Sequence, residues 1–293
     1  MYIAGYSRCG STMLDMLLNG ADAAVSTGEL TYLHDDAACG HRSCACGAAY
    51  QTCTRYGGWL AHRPAGEGRM VRAVERRAAL TQLLSGELPT ETAAAYRAYA
   101  TSLFAHLESE TGATVIVDSS KSAKDAAGRP IALLRLAGLD VRVLHLTRNP
   151  HGTVRSYLDR GANWALEGHR PAKPLESWRP IVGWTRANGI ATAIGRELGP
   201  GRYLHVRLED ILSNPRVHLA RIAAFSGLDL EAVTQRALEG DQFVAGHNVG
   251  GNRARFKPQI INLTATDKTS LPFGHALGLR ALGGRMSKQL GYA

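Results

Sequence analysis

The chain opens on Tyr2-Ile3-Ala4-Gly5-Tyr6-Ser7-Arg8-Cys9-Gly10-Ser11-Thr12, a short apolar strand running straight into a glycine loop. The spacing fits G-x-x-x-x-G-K-[ST] at every position but one, because Ser11 stands where the lysine belongs while Thr12 keeps the hydroxyl place. That lysine reaches the β- and γ-phosphates of a nucleoside triphosphate. A loop that keeps the nest of amides and drops the lysine suits one 5′-phosphate better than a triphosphate chain. The basic group lies inside the loop instead, as Arg8. Met13 to Leu18 then reads as a helix whose N-terminal amides and positive dipole end face the anion. Ser7, Arg8, Cys9, Gly10, Ser11 and Thr12 are therefore candidate anion-binding residues. The competing reading of this stretch alone is an ordinary strand–turn–helix whose glycines only turn the chain.

The remaining pattern alternates strands and helices. Thr114-Val115-Ile116-Val117-Asp118 is a β-branched run ending in an acid, and Val141 to Thr147 and Tyr203 to Arg207 are further strand candidates. Helices are expected over about 70–85, 90–110, up to about 137, from His151, and over 175–198, with a shorter strand and turn from Val25 to Leu33. Such alternation predicts an α/β, P-loop-like three-layer fold with a central parallel sheet flanked by helices. Residues 1–293 form one domain in this reading, with a mostly helical, Cys-containing insertion over 34–112. Ligands of such sheets sit beyond the carboxyl ends of the strands, where the Gly5 loop, Ser119 to Lys121 and Arg148 all fall.

A formal net charge of +9 over 293 residues implies acidic ligands. The basic residues form no long run and have few aromatics among them, which argues against nucleic acid. No stretch approaches 18 consecutive apolar residues, so no membrane span is expected. The first strand begins at residue 2 without a basic-then-apolar leader, and a cytoplasmic location is the expectation.

With these residues assembled, the chain resembles the PAPS-dependent sulfotransferases (PAPS is 3′-phosphoadenosine 5′-phosphosulfate), in the branch of tyrosylprotein sulfotransferases and bacterial relatives. Gly5 to Thr12 is similar to the family's 5′-phosphosulfate loop, and Leu146-Thr147-Arg148-Asn149-Pro150 with Ser156 is similar to its 3′-phosphate motif. Two motifs in this order are far more specific than either alone. The physical reading agrees, since Arg148 offers a forked donor to a phosphate dianion and Ser156 lies two turns along the following helix. Arg160, four residues after Ser156, shares its helix face, and the resemblance places it near the 3′-phosphate; a solvated charge at a helix end is the alternative.

The resemblance also implies roles around the transferred group. Glu29, in Thr27-Gly28-Glu29-Leu30, is implied as general base toward the acceptor hydroxyl, and Lys121 as a second cation beside Arg8. Gly250-Gly251-Asn252-Arg253-Ala254-Arg255-Phe256 is similar to a segment that closes over the nucleotide, with Asn252 and Arg253 (or Arg255) as contacts. Arg207-Leu208-Glu209-Asp210 is similar to a strand-end element, with Leu208 where many members carry an aromatic. PAPS would be the cosubstrate and PAP the product, with no metal needed for the chemistry and a small hydroxylated molecule as acceptor. Tyr32, Trp59, Trp164 and Trp178 are candidate walls of its pocket.

Two other functions fit parts of the pattern. A P-loop kinase or nucleotidase would use Asp118 as a Walker-B-like magnesium ligand. A non-catalytic nucleotide-binding protein would need neither Glu29 nor Lys121. Among the histidines, His34 could touch an acceptor, whereas mid-strand His145 reads as core. Cys39, His41, Cys44, Cys46 and Cys53 crowd into fifteen residues, leaving a disulfide, a structural zinc site and free thiols as alternatives. Cys9 lies among loop amides that could lower its pKa, though a small loop filler is the simpler role.

Overall fold

Five short, mostly apolar segments build the sheet. In the computed structural model, which describes residues 1–34, 43–122, 125–160, 178–263 and 269–292 apart from the Arg160 side chain, β1 (Tyr2–Ala4) leads into α1 (Ser11–Leu18) and β2 (Ala24–Ser26). The insertion carries α2 (Gly57–Leu60), α3 (Glu67–Glu75), α4 (Leu80–Ser85) and the long α5 (Thr90–Thr111). Then come β3 (Val115–Val117), α6 (Arg129–Arg135), β4 (Val143–Thr147), α7 (Pro150–Arg160), α8 (Arg179–Leu198) and β5 (Tyr203–Arg207). The chain finishes with α9 (Leu208–Ser213), α10 (Pro215–Ser226), α11 (Glu231–Glu239), the paired β6 (Gln242–Phe243) and β7 (Gln259–Ile260), and α12 (Phe273–Gln289).

β1 pairs in parallel with β4, and β4 with β5. β2 pairs in parallel with β3, and the Tyr2–Asp118 bridge joins the two groups in the order β2-β3-β1-β4-β5. The all-parallel sheet expected from the alternating pattern is therefore present. Side chains obey the strand period of two. Tyr2 and Ala4 face one buried cluster, made with α3, α5, α6 and α8. Ile3, Leu144, Leu146 and Val206 face the other, made with α1, α10 and α11. Helices thus cover both faces, which gives the three layers.

The expected 70–85 helix is two helices, because Arg76 turns extended (ψ 153°) between them. The helix expected up to residue 137 is confined to α6, preceded by turns from Asp125 to Gly128. No helix among the described residues is long and apolar enough to cross a membrane.

Candidate active site

The Gly5 loop sits at the carboxyl edge of β1. Gly5 has φ +135° and approaches β4 so closely that a Cβ there would lie 2.2 Å from the Leu146 carbonyl oxygen. Gly10 (φ +94°) caps α1, and a Cβ on it would strike Leu208 at 2.8 Å. Leu208 thus packs under the loop, which accounts for an aliphatic residue in that place. Arg8 itself adopts φ +67°, a conformation that costs a residue with a side chain and that the surrounding contacts must hold. Ser11 and Thr12 open α1, where first-turn amides lack intrahelical acceptors and remain available to an anion. Cys9 is buried among apolar neighbours. Burial raises its thiol pKa and outweighs the lowering by the loop amides.

Glu29 and Lys121 meet beside this loop. Lys121 Nζ donates to Glu29 Oε1, and the two side chains are only 8% and 13% exposed, so solvent screens them weakly. Lys121 also has positive φ (+69°). Burial disfavours its charge most strongly, but Glu29, Cys9 and Asp15 together outweigh that and hold the ammonium above its ordinary pKa. The Glu29 amide donates to Val249 at 2.7 Å, and Val249 donates to Thr27 at 2.8 Å, fixing the Glu29 backbone from a segment over two hundred residues away. A Cβ on Gly251 (φ +88°) would sit 3.6 Å from Thr12 Oγ1 and 3.8 Å from Glu29 Oε1. The late glycine loop therefore lies against both motifs.

Within that loop, Asn252 uses its side-chain oxygen to cap the turn at the Ala254 amide, 2.9 Å away. Arg253 is exposed, whereas Arg255 is buried and donates to Gly251 and Ser43 carbonyls at 3.0 and 3.3 Å. Arg255 is thus a strut of the loop, and Arg253 is the residue turned to solvent.

Arg148, at the end of β4, and Ser156, on α7, converge with Arg8. Arg8 Nη1 donates to the Ser156 carbonyl (2.9 Å) and hydroxyl (3.3 Å), while Arg148 Nη1 donates to the Arg8 carbonyl at 3.0 Å. Tyr157 lies under the Arg8 guanidinium at 4.2 Å from ring centre and stacks on Tyr6 at 6.0 Å. The turn after β4 is pinned by Glu209, whose Oε1 accepts from the Asn149 amide at 2.6 Å, and by Trp184 Nε1 donating to the Arg148 carbonyl at 3.0 Å. Glu209 is therefore a brace for the Arg148 turn. The Arg160 side chain lies outside the described residues. Neither Tyr6 nor Tyr157 was signalled by the sequence motifs, although Tyr157 follows Ser156 directly.

A cleft of about 620 Å³ opens beside the loop, lined by Tyr6, Ser7, Ser122, Tyr157, Trp178 and Arg179 among others. Of the three expected wall aromatics among the described residues, only Trp178 reaches it, stacked on His275 at 5.1 Å. Trp59 is buried and donates to Ser102, Tyr32 packs on the core, and Trp164 lies outside the described residues. A second cavity, about 510 Å³, lies beside Met1 and Arg142 and holds neither the glycine loop, Glu29, Lys121 nor Arg148.

Several residues are structural. Asp118 is 2% exposed, accepts from Arg129 Nε at 2.6 Å and from the Ser120 amide at 3.0 Å, and shares Arg129 with buried Glu75. Those partners occupy the carboxylate that a kinase reading assigns to magnesium. His145 is fully buried between Tyr203 and Asn188 (2.6 and 3.0 Å), and burial lowers its pKa to about 3. His34 packs at a tilt against Trp59 and Tyr99 near Glu67, and burial lowers its pKa to about 4, so it is packed in the insertion core. Asp15, behind the loop, is raised by burial to about 7 despite accepting from Ser119 (2.5 Å) and Ser26 (2.8 Å).

Among the described cysteines all four thiols are free. Cys44, Cys46 and Cys53 gather with a residue the sequence reading did not connect to them, His247, and Cys39 and His41 lie outside the described residues.

The sulfotransferase family profile matches residues 1–232. Among solved structures, the sulfotransferase domain from the curacin biosynthetic pathway is similar at 19% identity and TM-score 0.55, covering 100% of this chain and 97% of that one. The sulfotransferase domain of an olefin synthase from Synechococcus PCC 7002 follows at 20% identity and TM-score 0.52, covering 98% and 93%. A sulfotransferase from Mycobacterium avium has 14% identity and TM-score 0.53, covering 100% of this chain and 77% of its own. No curated protein matches. At these identities the structures establish the fold, and the profile match establishes the lineage: the chain belongs to the sulfotransferase family.

Proposed function

We propose that the protein transfers the sulfonate of PAPS to a hydroxyl of a small-molecule acceptor and releases PAP. The acceptor oxygen attacks sulfur in line, its S–O bond forms as the bridging S–O bond to the 5′-phosphate breaks, and the hydroxyl proton passes to Glu29. The observation that carries this reading is the buried Lys121–Glu29 pair at the side of a lysine-free phosphate loop. Sulfuryl transfer needs positioning and cations around a leaving phosphate, much as phosphoryl transfer does. The loop amides and α1 hold the 5′-phosphate, and Lys121 stabilises charge growing on the bridging oxygen. Arg148 and Ser156 receive the 3′-phosphate, with Arg8 turning from Ser156 toward the bound anion.

In the free protein the Glu29 carboxylate is occupied by Lys121. Arrival of the phosphosulfate resolves this, because the anion competes for Lys121 and leaves Glu29 free to accept a proton. The acceptor enters the cleft bounded by Tyr6, Tyr157 and Trp178, whose mixed aromatic and basic lining suits a partly apolar molecule. The test is direct. Incubation with PAPS and a metabolite extract should yield PAP and a product about 80 Da heavier than its precursor (the mass of SO₃), and PAP should raise the melting temperature without magnesium. Stabilisation by ATP–magnesium, with none by PAP, would return the chain to the kinase reading.

A further inference from the structure

Outside the proposed catalytic apparatus, four soft ligands converge. The Sγ atoms of Cys44, Cys46 and Cys53 and a ring nitrogen of His247 all lie within 4.8 Å of one another. His247 Nδ1 is 3.2 Å from Cys53 Sγ and 3.8 Å from Cys44 Sγ, and Cys46 Sγ is 3.8 Å from Cys53 Sγ. Tetrahedral zinc with Zn–S of about 2.3 Å and Zn–N of about 2.0 Å places sulfurs ~3.8 Å apart and sulfur and nitrogen ~3.5 Å apart. A disulfide needs its sulfurs at about 2.0 Å. The spacing found matches the metal and not the bond.

The backbone is built to present these atoms. Cys44 receives Gly47 on its carbonyl and donates to Ala48, both at 2.8 Å, so that Cys44-Ala45-Cys46-Gly47 folds back on itself. Gly47 takes φ +91° at the apex, the position that favours glycine. Cys53 closes the 3-10 turn Tyr50–Thr52. Ala45 donates to the Asn248 carbonyl at 3.0 Å, which brings His247 against the knuckle. The paired C-x-x-C of zinc ribbons is absent; a C-x-C knuckle, a third cysteine seven residues on and a histidine from the far end of the chain replace it.

We propose that Cys44, Cys46, Cys53 and His247 bind one structural Zn²⁺ that staples the insertion to the segment leading into Gly250-Gly251. Three thiolates and an imidazole complete a tetrahedron and leave no position for substrate, which is the composition of a structural rather than a catalytic site. The staple acts on the fold at a definite place: Asn248 and Val249 follow His247, and Val249 pairs with Thr27 and Glu29. Zinc binding therefore fixes the strand-like segment on which the Glu29 backbone rests.

Elemental analysis of the full chain, purified without chelator, should give a zinc-to-chain ratio near one. Cobalt substitution of the wild-type protein should give the intense visible bands of a tetrahedral site and a near-ultraviolet thiolate charge-transfer band. Removal of the metal should lower the melting temperature by roughly 5 °C or more, restored by zinc. Cys53→Ser and His247→Ala should each lose zinc, while Cys39→Ser should keep it. A ratio near zero in freshly purified protein with reduced thiols would overturn the proposal, as would octahedral cobalt spectra. So would a Cys39→Ser variant that loses zinc beside a His247→Ala variant that retains it.

Discussion

Glu29→Gln should change affinity and turnover in opposite directions. In the free protein Lys121 is held by Glu29, and at 8% and 13% exposure this pair lies between a surface ion pair and a buried one. Surface pairs contribute about 0–1 kcal/mol, whereas removing one partner of a buried pair costs about 3–5 kcal/mol. A value of roughly 1–2 kcal/mol is reasonable here, and wild type forgoes that much when the phosphosulfate takes Lys121 from the carboxylate. The glutamine variant has no such pair to break and no carboxylate facing the sulfonate. Its PAPS affinity should rise by about 5- to 30-fold, from ~1.4 kcal/mol per decade. Loss of the base should lower kcat by about 10²- to 10⁴-fold. The free variant should also melt at lower temperature, because Lys121 is left desolvated without a counter-charge.

The assay is isothermal titration with PAPS, or PAP where turnover interferes, alongside a single-turnover measurement of sulfonate transfer. A structural role for Glu29 predicts that both quantities worsen together. A variant that binds PAPS more weakly than wild type, or turns over within threefold of it, would refute the exchange of Lys121 between Glu29 and the anion.

Arg148→Ala should weaken PAP binding by about 10- to 100-fold, the scale of one charge-assisted hydrogen bond, yet change affinity for adenosine 5′-phosphosulfate by less than threefold; equal losses in calorimetry would remove Arg148 from the 3′-phosphate. Trp178→Ala should raise the acceptor KM at least tenfold with the PAPS KM unaltered, and an unchanged acceptor KM would take the 620 Å³ cleft out of acceptor binding. Between about pH 4.5 and 6 the unfolded chain holds the proton of His145, whose folded pKa is lowered to about 3, while the native state holds that of Asp15, raised to about 7, so their slopes oppose. Asp15→Asn removes only the Asp15 contribution, and stability should then climb with pH more steeply than wild type by about 1.4 kcal/mol per unit; parallel urea-melt curves would disprove the buried proton on Asp15.

The parts of the fold legible in the sequence were those set by local pattern. The β-branched run at residues 115–117, the strand segments at 143–147 and 203–207 and the glycine spacing of the first loop carry their own geometry, and the parallel sheet follows from their alternation with helices. What escaped depends on partners remote in the chain. Asp118 looked like a metal ligand because nothing local reveals Arg129 arriving from α6 to neutralise it. Trp59 and Tyr32 looked like pocket walls because aromatic residues serve cores and pockets equally, and only packing assigns them. The cysteine cluster lacked its histidine because His247 is 194 positions beyond Cys53. Arg8 and Ser156 each belonged to a recognised motif, but their direct contact is a tertiary fact.

Part of this remote support comes from late in the chain. The family profile ends at residue 232, yet Val249 supports the Glu29 backbone and Gly251 lies against Thr12 and Glu29 from beyond that limit. The Gly5 loop and Arg148, to which the proposal assigns the nucleotide, lie inside the matched region and derive their geometry from the sheet edge. Glu29, the proposed base, is held differently: its amide is satisfied by Val249, its ammonium partner Lys121 has a left-handed backbone, and the neighbouring loop is braced by buried Arg255. Anchoring by many distant contacts, each modest, keeps such a strained constellation in place where local propensity would relax it. Disturbing the 247–255 segment should accordingly reduce transfer before it reduces PAP binding, because the groups proposed to hold the nucleotide and those proposed to move the proton are secured by different parts of the chain.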